Sequence, residues 1–232
     1  MDYPIQVPVT DFAQLALDVY EDPDANDVRP GFNKAWAKLN SWTSMNQFHA
    51  TFYKNMMTNV GVLAIRGTVP AINKTVIQDL DYFTALAESK DIPQYHDALS
   101  FYNFIENYPD WKNIKEKYVC GHSLGGMLAK AIAPITGFNT IAFNSPSITN
   151  FLLNNHYPVA LKDPKHQKQL TYAAKNDFIG NLLSQWDLGK YVILEHPKEL
   201  DTPENNKEHL FWHSMKRLYT TLKNGIHRND KF

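Results

Sequence analysis

The chain has 232 residues, 44% of them hydrophobic and 20% charged, with a formal net charge of −1. That length suits one domain with a substantial core and is short for two, and near-neutral charge leaves no electrostatic footprint for nucleic acid. A single cysteine, Cys120, excludes an internal disulfide and a cysteine-rich metal site.

No stretch reaches the roughly 18 consecutive apolar residues that a membrane span needs. The opening Met1-Asp2-Tyr3-Pro4 lacks the basic stretch and apolar core of a signal peptide. The expectation is a cytoplasmic protein, or one exported without a cleaved signal peptide.

In chain order, the first forty residues read as packing elements. Phe12, Leu15, Ala16 and Val19 recur at helical spacing, with Thr10 or Asp11 available as a cap. Glu21 to Gly31 is rich in Asp, Asn and Pro and reads as loop. Phe48 to Lys54 partly alternates, a strand signal, and a turn at Asn55 to Asn59 leads to Val60-Gly61-Val62-Leu63-Ala64-Ile65. A continuous apolar run of that kind fits a strand covered on both faces. Residues 69–93 mix short apolar groups with Asp79, Asp81, Glu88 and Lys90 and read as a surface segment or lid. Leu99, Tyr102 and Ile105 restore helical spacing within Tyr95 to Tyr108. Short strands follow at Tyr118 to Cys120, Thr140 to Phe143, Leu170 to Ala174 and Tyr191 to Leu194, with a helical stretch at Met127 to Ile135 and an amphipathic run at Met215 to Leu222. Strands alternating with helices at this spacing predict one α/β domain over 1–232, its central sheet mostly parallel and flanked by helices.

The sharpest feature is Gly121-His122-Ser123-Leu124-Gly125, a G-x-S-x-G pentapeptide after an apolar strand and before a helix of small residues. In that setting the serine sits at the apex of a tight strand-to-helix turn, and the flanking glycines let strand and helix approach each other. The helix aims its amino end at the reacting centre, and the N–H of Leu124 is a donor for a developing oxyanion. A Gly followed by a hydroxyl residue, Gly67-Thr68, ends a buried strand and can turn an N–H and an Oγ toward the same place. His122, the residue before the serine, points away from the hydroxyl and is not the base.

Val62-Leu63-Ala64-Ile65-Arg66-Gly67-Thr68, the helix carrying His96, Tyr118 to Gly126 and Ile141-Ala142-Phe143-Asn144-Ser145-Pro146 come in the order seen in class 3 lipases. From about Phe48 to Asp177 the chain resembles that family. The resemblance implies an α/β-hydrolase acting on acylglycerols, phospholipids or related esters, with Thr68 as the second oxyanion donor.

A serine nucleophile needs a histidine to take its proton and an acid to hold that histidine, and in α/β-hydrolases the chain order is Ser, acid, His. Asp177 follows the strand Leu170 to Ala174 through the polar turn Lys175-Asn176, where parallel sheets present functional side chains. The family's acid commonly occupies such a turn. Asp163 has no such strand before it, and Asp187 reads as a loop residue beside Trp186. Of the later histidines, His227 falls in a polar tail and His196 in a loop before Pro197. His213, just ahead of the terminal helical run as in the family, is the preferred base, with His209 as the alternative. The two are four apart and on one helix would share a face, but without a third ligand they make a weak metal site.

The expected activity is serine ester hydrolysis through an acyl-enzyme, acting on lipid esters. Alternatives on the same residues are a small-ester esterase, a thioesterase or an acyltransferase. A non-catalytic hydrolase-like module that binds lipid or a partner protein is the other class. The ester reading calls for an ester or lipid substrate, with transient contact to a lipid surface, and for no cofactor. Phe151-Leu152-Leu153, Phe178-Ile179 and Leu182-Leu183 supply apolar surface for either a groove or the core.

Overall fold

The computed structural model describes residues 7–20, 35–68, 92–154, 169–181, 189–195 and 214–224. In chain order these form α1 (Val9–Asp18), β1 (Trp36–Thr43), β2 (His49–Asn55), β3 (Val60–Ile65), α2 (Pro93–Glu106), α3 (Pro109–Lys112), β4 (Glu116–His122), α4 (Leu124–Thr136), β5 (Asn139–Phe143), α5 (Thr149–Asn154), β6 (Gln169–Ala174), α6 (Phe178–Asn181), β7 (Lys190–Leu194) and α7 (Met215–Asn224).

The seven strands make one sheet in the order β1 to β7. β1, β2 and β3 pair antiparallel, and every pair from β3 to β7 is parallel. β3 is apolar at each position because it has no solvent face. Leu63 and Ile65 enter the cluster that packs against α2 and α4, while Val60, Val62 and Ala64 enter the one beneath α1 and α7. Each of these Val, Leu and Ile side chains removed from water stabilises the fold by about 1.5–3 kcal/mol. The covering helices supply the matching stripes: Tyr95, Ala98, Phe101 and Ile105 from α2, and Met215, Leu218 and Leu222 from α7.

The four residues that helical spacing marks are buried, Phe12, Leu15 and Ala16 on α1 and Val19 just after its end. Its start differs from the expectation. The helix begins at Val9 behind Pro8, with no side-chain cap. Asp11 instead accepts the Trp36 indole N–H at 2.8 Å, a bond that ties α1 to the edge strand. β1 is not marked by alternation in the sequence. It lies at the sheet edge, half buried, and a register shift between Lys38 and Asn40 interrupts it, a device that blunts an open edge. Of the lid segment at 69–93, residues 69–91 lie outside the described residues. Its last two belong to the core and to α2, since Ile92 is buried and Pro93 opens the helix. Among the described residues no helix is long and apolar enough to cross a membrane.

Candidate active site

The parallel strands β3 to β6 end along one edge of the sheet, and Thr68, Ser123, Leu124 and Asp177 follow the ends of β3, β4 and β6 there. β4 passes directly into α4 through Ser123, which has φ 56° and ψ −127°. For a non-glycine residue that backbone costs about 1–3 kcal/mol and persists only where its surroundings over-determine it. The surroundings here do so. The Ser123 N–H donates to the Phe143 carbonyl of β5 at 3.0 Å, and its own carbonyl accepts the Met127 N–H of α4 at 3.0 Å. One residue thus closes the β4–β5 ladder and opens the helix.

The two glycines of the pentapeptide are required by contact. A Cβ on Gly121 would stand 2.7 Å from the Gly126 nitrogen, and one on Gly125 would stand 2.7 Å from the Arg66 carbonyl carbon. α4 can therefore lean on both β4 and the end of β3 only if these side chains are absent. The lean also brings the loop after β3 to the nucleophile turn, since a Cβ on Gly67 would lie 3.2 Å from Ser123 Cβ. Thr68 follows in that loop. Its hydroxyl is buried and has no hydrogen-bond partner among the described residues. Leu124 is buried at the first position of α4, where helix N–H groups have no partner within the helix.

His122 is the last residue of β4, immediately before Ser123. It is buried, and its Nδ1 lies 2.8 Å from the Tyr20 hydroxyl. The Gly67 N–H donates to that same phenol oxygen, and burial of the ring raises the phenol's pKa well above its ordinary value. The phenol therefore stays protonated, and the tautomer of the imidazole sets which of the two groups donates. Tyr20 joins the end of α1, the nucleophile turn and the loop after β3 in one bonded set. Sequence reading missed it because a tyrosine at the end of a helix carries no signal of a partner 102 residues away.

Asp177 lies two strands along the same edge, roughly 10 Å in sheet spacing from the end of β4, and is wholly buried. Its Oδ2 accepts the Gly180 N–H at 2.8 Å and its Oδ1 the Ile179 N–H at 3.2 Å. The main chain of the turn thus orients the carboxylate and supplies donors in place of water. Asn181 closes the turn from behind, its amide donating to the Ala174 and Asp177 carbonyls at 2.9 and 2.6 Å.

His49 stands beside the same edge on β2, and its carbonyl accepts the Arg66 N–H at 2.9 Å. Burial first, then the Arg66 and Lys38 cations, hold its imidazole down to about 4. Cys120, three residues before Ser123, is buried, and burial pushes its thiol up, which keeps it protonated and unreactive.

His213, His209, His196 and His227, with Asp163 and Asp187, lie outside the described residues. Ser214, immediately after His213, precedes α7, which packs on α1. The apolar residues left open between groove and core divide. Phe151, Leu152 and Ile179 are core, and Leu153 is half exposed. The side chain of Phe178 and residues 182–183 lie outside the described residues.

No family model matches the chain, and no curated relative matches it in sequence. Among solved structures it is similar to the Lip2 lipase from Yarrowia lipolytica, at 16% identity and a TM-score of 0.52, covering 81% of this chain and 78% of that one. It is also similar to lipase II from Rhizopus niveus, at 13% identity and a TM-score of 0.51, covering 82% and 83%. The architecture that these likenesses and the seven-stranded mixed sheet establish is that of an α/β-hydrolase.

Proposed function

We propose that this chain is a serine hydrolase of the class 3 lipase type that cleaves lipid esters through an acyl-enzyme on Ser123. The observation that carries the proposal is the Ser123 backbone, φ 56° and ψ −127°, held between β4 and α4 where glycine would sit without strain. A serine kept there at a cost argues for a use of its hydroxyl. The Thr68 hydroxyl, buried without a hydrogen-bond partner among the described residues, supports a donor role toward substrate. The two lipase structures of like fold support the ester class.

In this mechanism His213 removes the Ser123 proton as Oγ attacks the ester carbonyl carbon. The carbonyl π electrons move onto oxygen, and the N–H groups of Leu124 and Thr68 hold that oxyanion. Asp177 keeps the imidazole in the tautomer that accepts at the serine side and stabilises the imidazolium. Collapse of the tetrahedral species breaks the C–O bond, and the alcohol departs with the proton from His213. Water then repeats the sequence on the acyl-enzyme and returns Ser123. His209 takes the part of His213 in the alternative assignment.

Labelling with a fluorophosphonate and hydrolysis of p-nitrophenyl esters from acetyl to decanoyl test this reading. The expected result is labelling abolished by Ser123→Ala, with hydrolysis reduced about 10⁴-fold or more. Rates should rise with acyl length, because each buried CH₂ contributes about 0.8 kcal/mol. A Ser123→Ala protein as fast as the parent would overturn the mechanism. A flat chain-length profile would overturn the lipid preference and favour a small-ester esterase. His213→Ala against His209→Ala assigns the base, the larger loss marking it.

A further inference from the structure

Between the nucleophile turn on β4 and the Asp177 turn on β6 lies the end of β5, and one residue there touches both. Asn144 is wholly buried and follows Phe143 with φ 44°, a left-handed backbone that Asn adopts more readily than most residues. The peptide unit between Phe143 and Asn144 is bonded on both sides. Its carbonyl accepts the Ser123 N–H at 3.0 Å, and its N–H donates to the Tyr172 carbonyl of β6 at 2.8 Å. A single rigid plane therefore spans from the candidate nucleophile to the strand that carries the candidate acid.

The side chain extends the link. The last paired residues of β5 and β6 are Phe143 and Tyr172. Two residues past Tyr172, the Asn144 Oδ1 accepts the Ala174 N–H at 2.9 Å, which carries the pairing beyond the ladder. Ala174 is the entry to the Asp177 turn, and its carbonyl accepts the Asp177 N–H at 3.0 Å. The exit of that turn meets Asn144 too. Gly180, whose N–H holds the Asp177 carboxylate, lies so near that a Cβ there would stand 2.8 Å from Asn144 Cα.

We propose that Asn144 is a positioning residue that sets where the Asp177 carboxylate stands relative to Ser123. The proposal rests on the reading above, in which Asp177 orients the base. Asn144 makes no chemistry of its own and acts only through that carboxylate. Its carboxamide fixes the entry of the turn, and its main chain supports the exit.

Asn144→Gly separates this role from simple structural support, because glycine keeps the left-handed backbone and removes only the carboxamide. With rates normalised to active sites titrated by a fluorophosphonate, kcat should fall about 10- to 100-fold, with KM changed less than about twofold. The acid limb of the pH profile for kcat/KM should move to lower pH, since an imidazolium with a displaced carboxylate is less stabilised. In an Asp177→Asn background the same substitution should change kcat by less than about twofold, the non-additivity of residues that act as a unit. Should Asn144→Gly fail to fold, Asn144→Ala, which removes the same acceptor for the Ala174 N–H while keeping a Cβ, should show the same loss and the same non-additivity. Parental kcat per titrated site in Asn144→Gly, or an undiminished loss in the Asp177→Asn background, would overturn the positioning role. Parental kcat in Asp177→Asn alone would instead overturn the triad on which it rests.

Discussion

The two ends of α4 take the same backbone sign with opposite residue choices. At the amino end Ser123 has φ 56°, and at the carboxyl end Gly137 has φ 71°. Gly137 does what a helix stop requires: its N–H bonds the Ala133 carbonyl at 2.8 Å, and with no Cβ the left-handed turn carries no steric penalty. Ser123 occupies a costlier region and has no such excuse, since a glycine would make both of its main-chain bonds equally well. That difference supports the proposed use of the Ser123 hydroxyl, because the strained backbone brings no gain that glycine would not bring.

Substitutions at those two ends should therefore separate activity from stability. Ser123→Gly is expected to abolish ester hydrolysis by about 10⁴-fold or more while raising the unfolding free energy by about 1 kcal/mol. Activity on p-nitrophenyl esters beside urea unfolding midpoints measures both, and a destabilised variant would break the contrast.

The same edge of the sheet carries a second cost, at His49. Its pKa is depressed to about 4 in the fold against an ordinary 6.5, so the unfolded chain binds the extra proton first. Stability is complete above about pH 6.5 and declines as pH falls toward 4, by on the order of 2–3 kcal/mol from this group. Replacing it, as in His49→Gln, should flatten the fall measured by urea unfolding at pH 7 and pH 4. An unchanged fall would place the acid sensitivity elsewhere.

At the relaxed end of the helix, Gly137→Ala is expected to cost about 1–2 kcal/mol of stability while leaving kcat per titrated site unchanged. An activity loss there would mean that the two ends of α4 are coupled.

Much of the frame is legible residue by residue. The unbroken apolar run at Val60 to Ile65 marks a strand without a solvent face, and β3 spans those residues. Helical spacing around Leu99 and Ile105 locates α2, and the glycines around Ser123 locate the turn because only their absence of side chains lets α4 lean on β3 and β4. The edge strand β1 was not legible, because a half-exposed, bulged strand shows no alternation. The capping role expected of Thr10 or Asp11 fails because Asp11 has a better partner in Trp36, and that partner is distant in sequence.

The amino-acid sequence by itself determines the strands β2 to β7, the helices α1, α2, α4 and α7, the pentapeptide turn and the turn that carries Asp177, because each depends on near neighbours. Only the tertiary structure decides that Tyr20 bonds His122, that Asn144 stands between the two turns and touches both, and that His49 is starved of water beside Arg66. Those contacts join residues far apart along the chain. They exist only once the sheet has brought β2 to β6 side by side, and no local pattern of residue types encodes them.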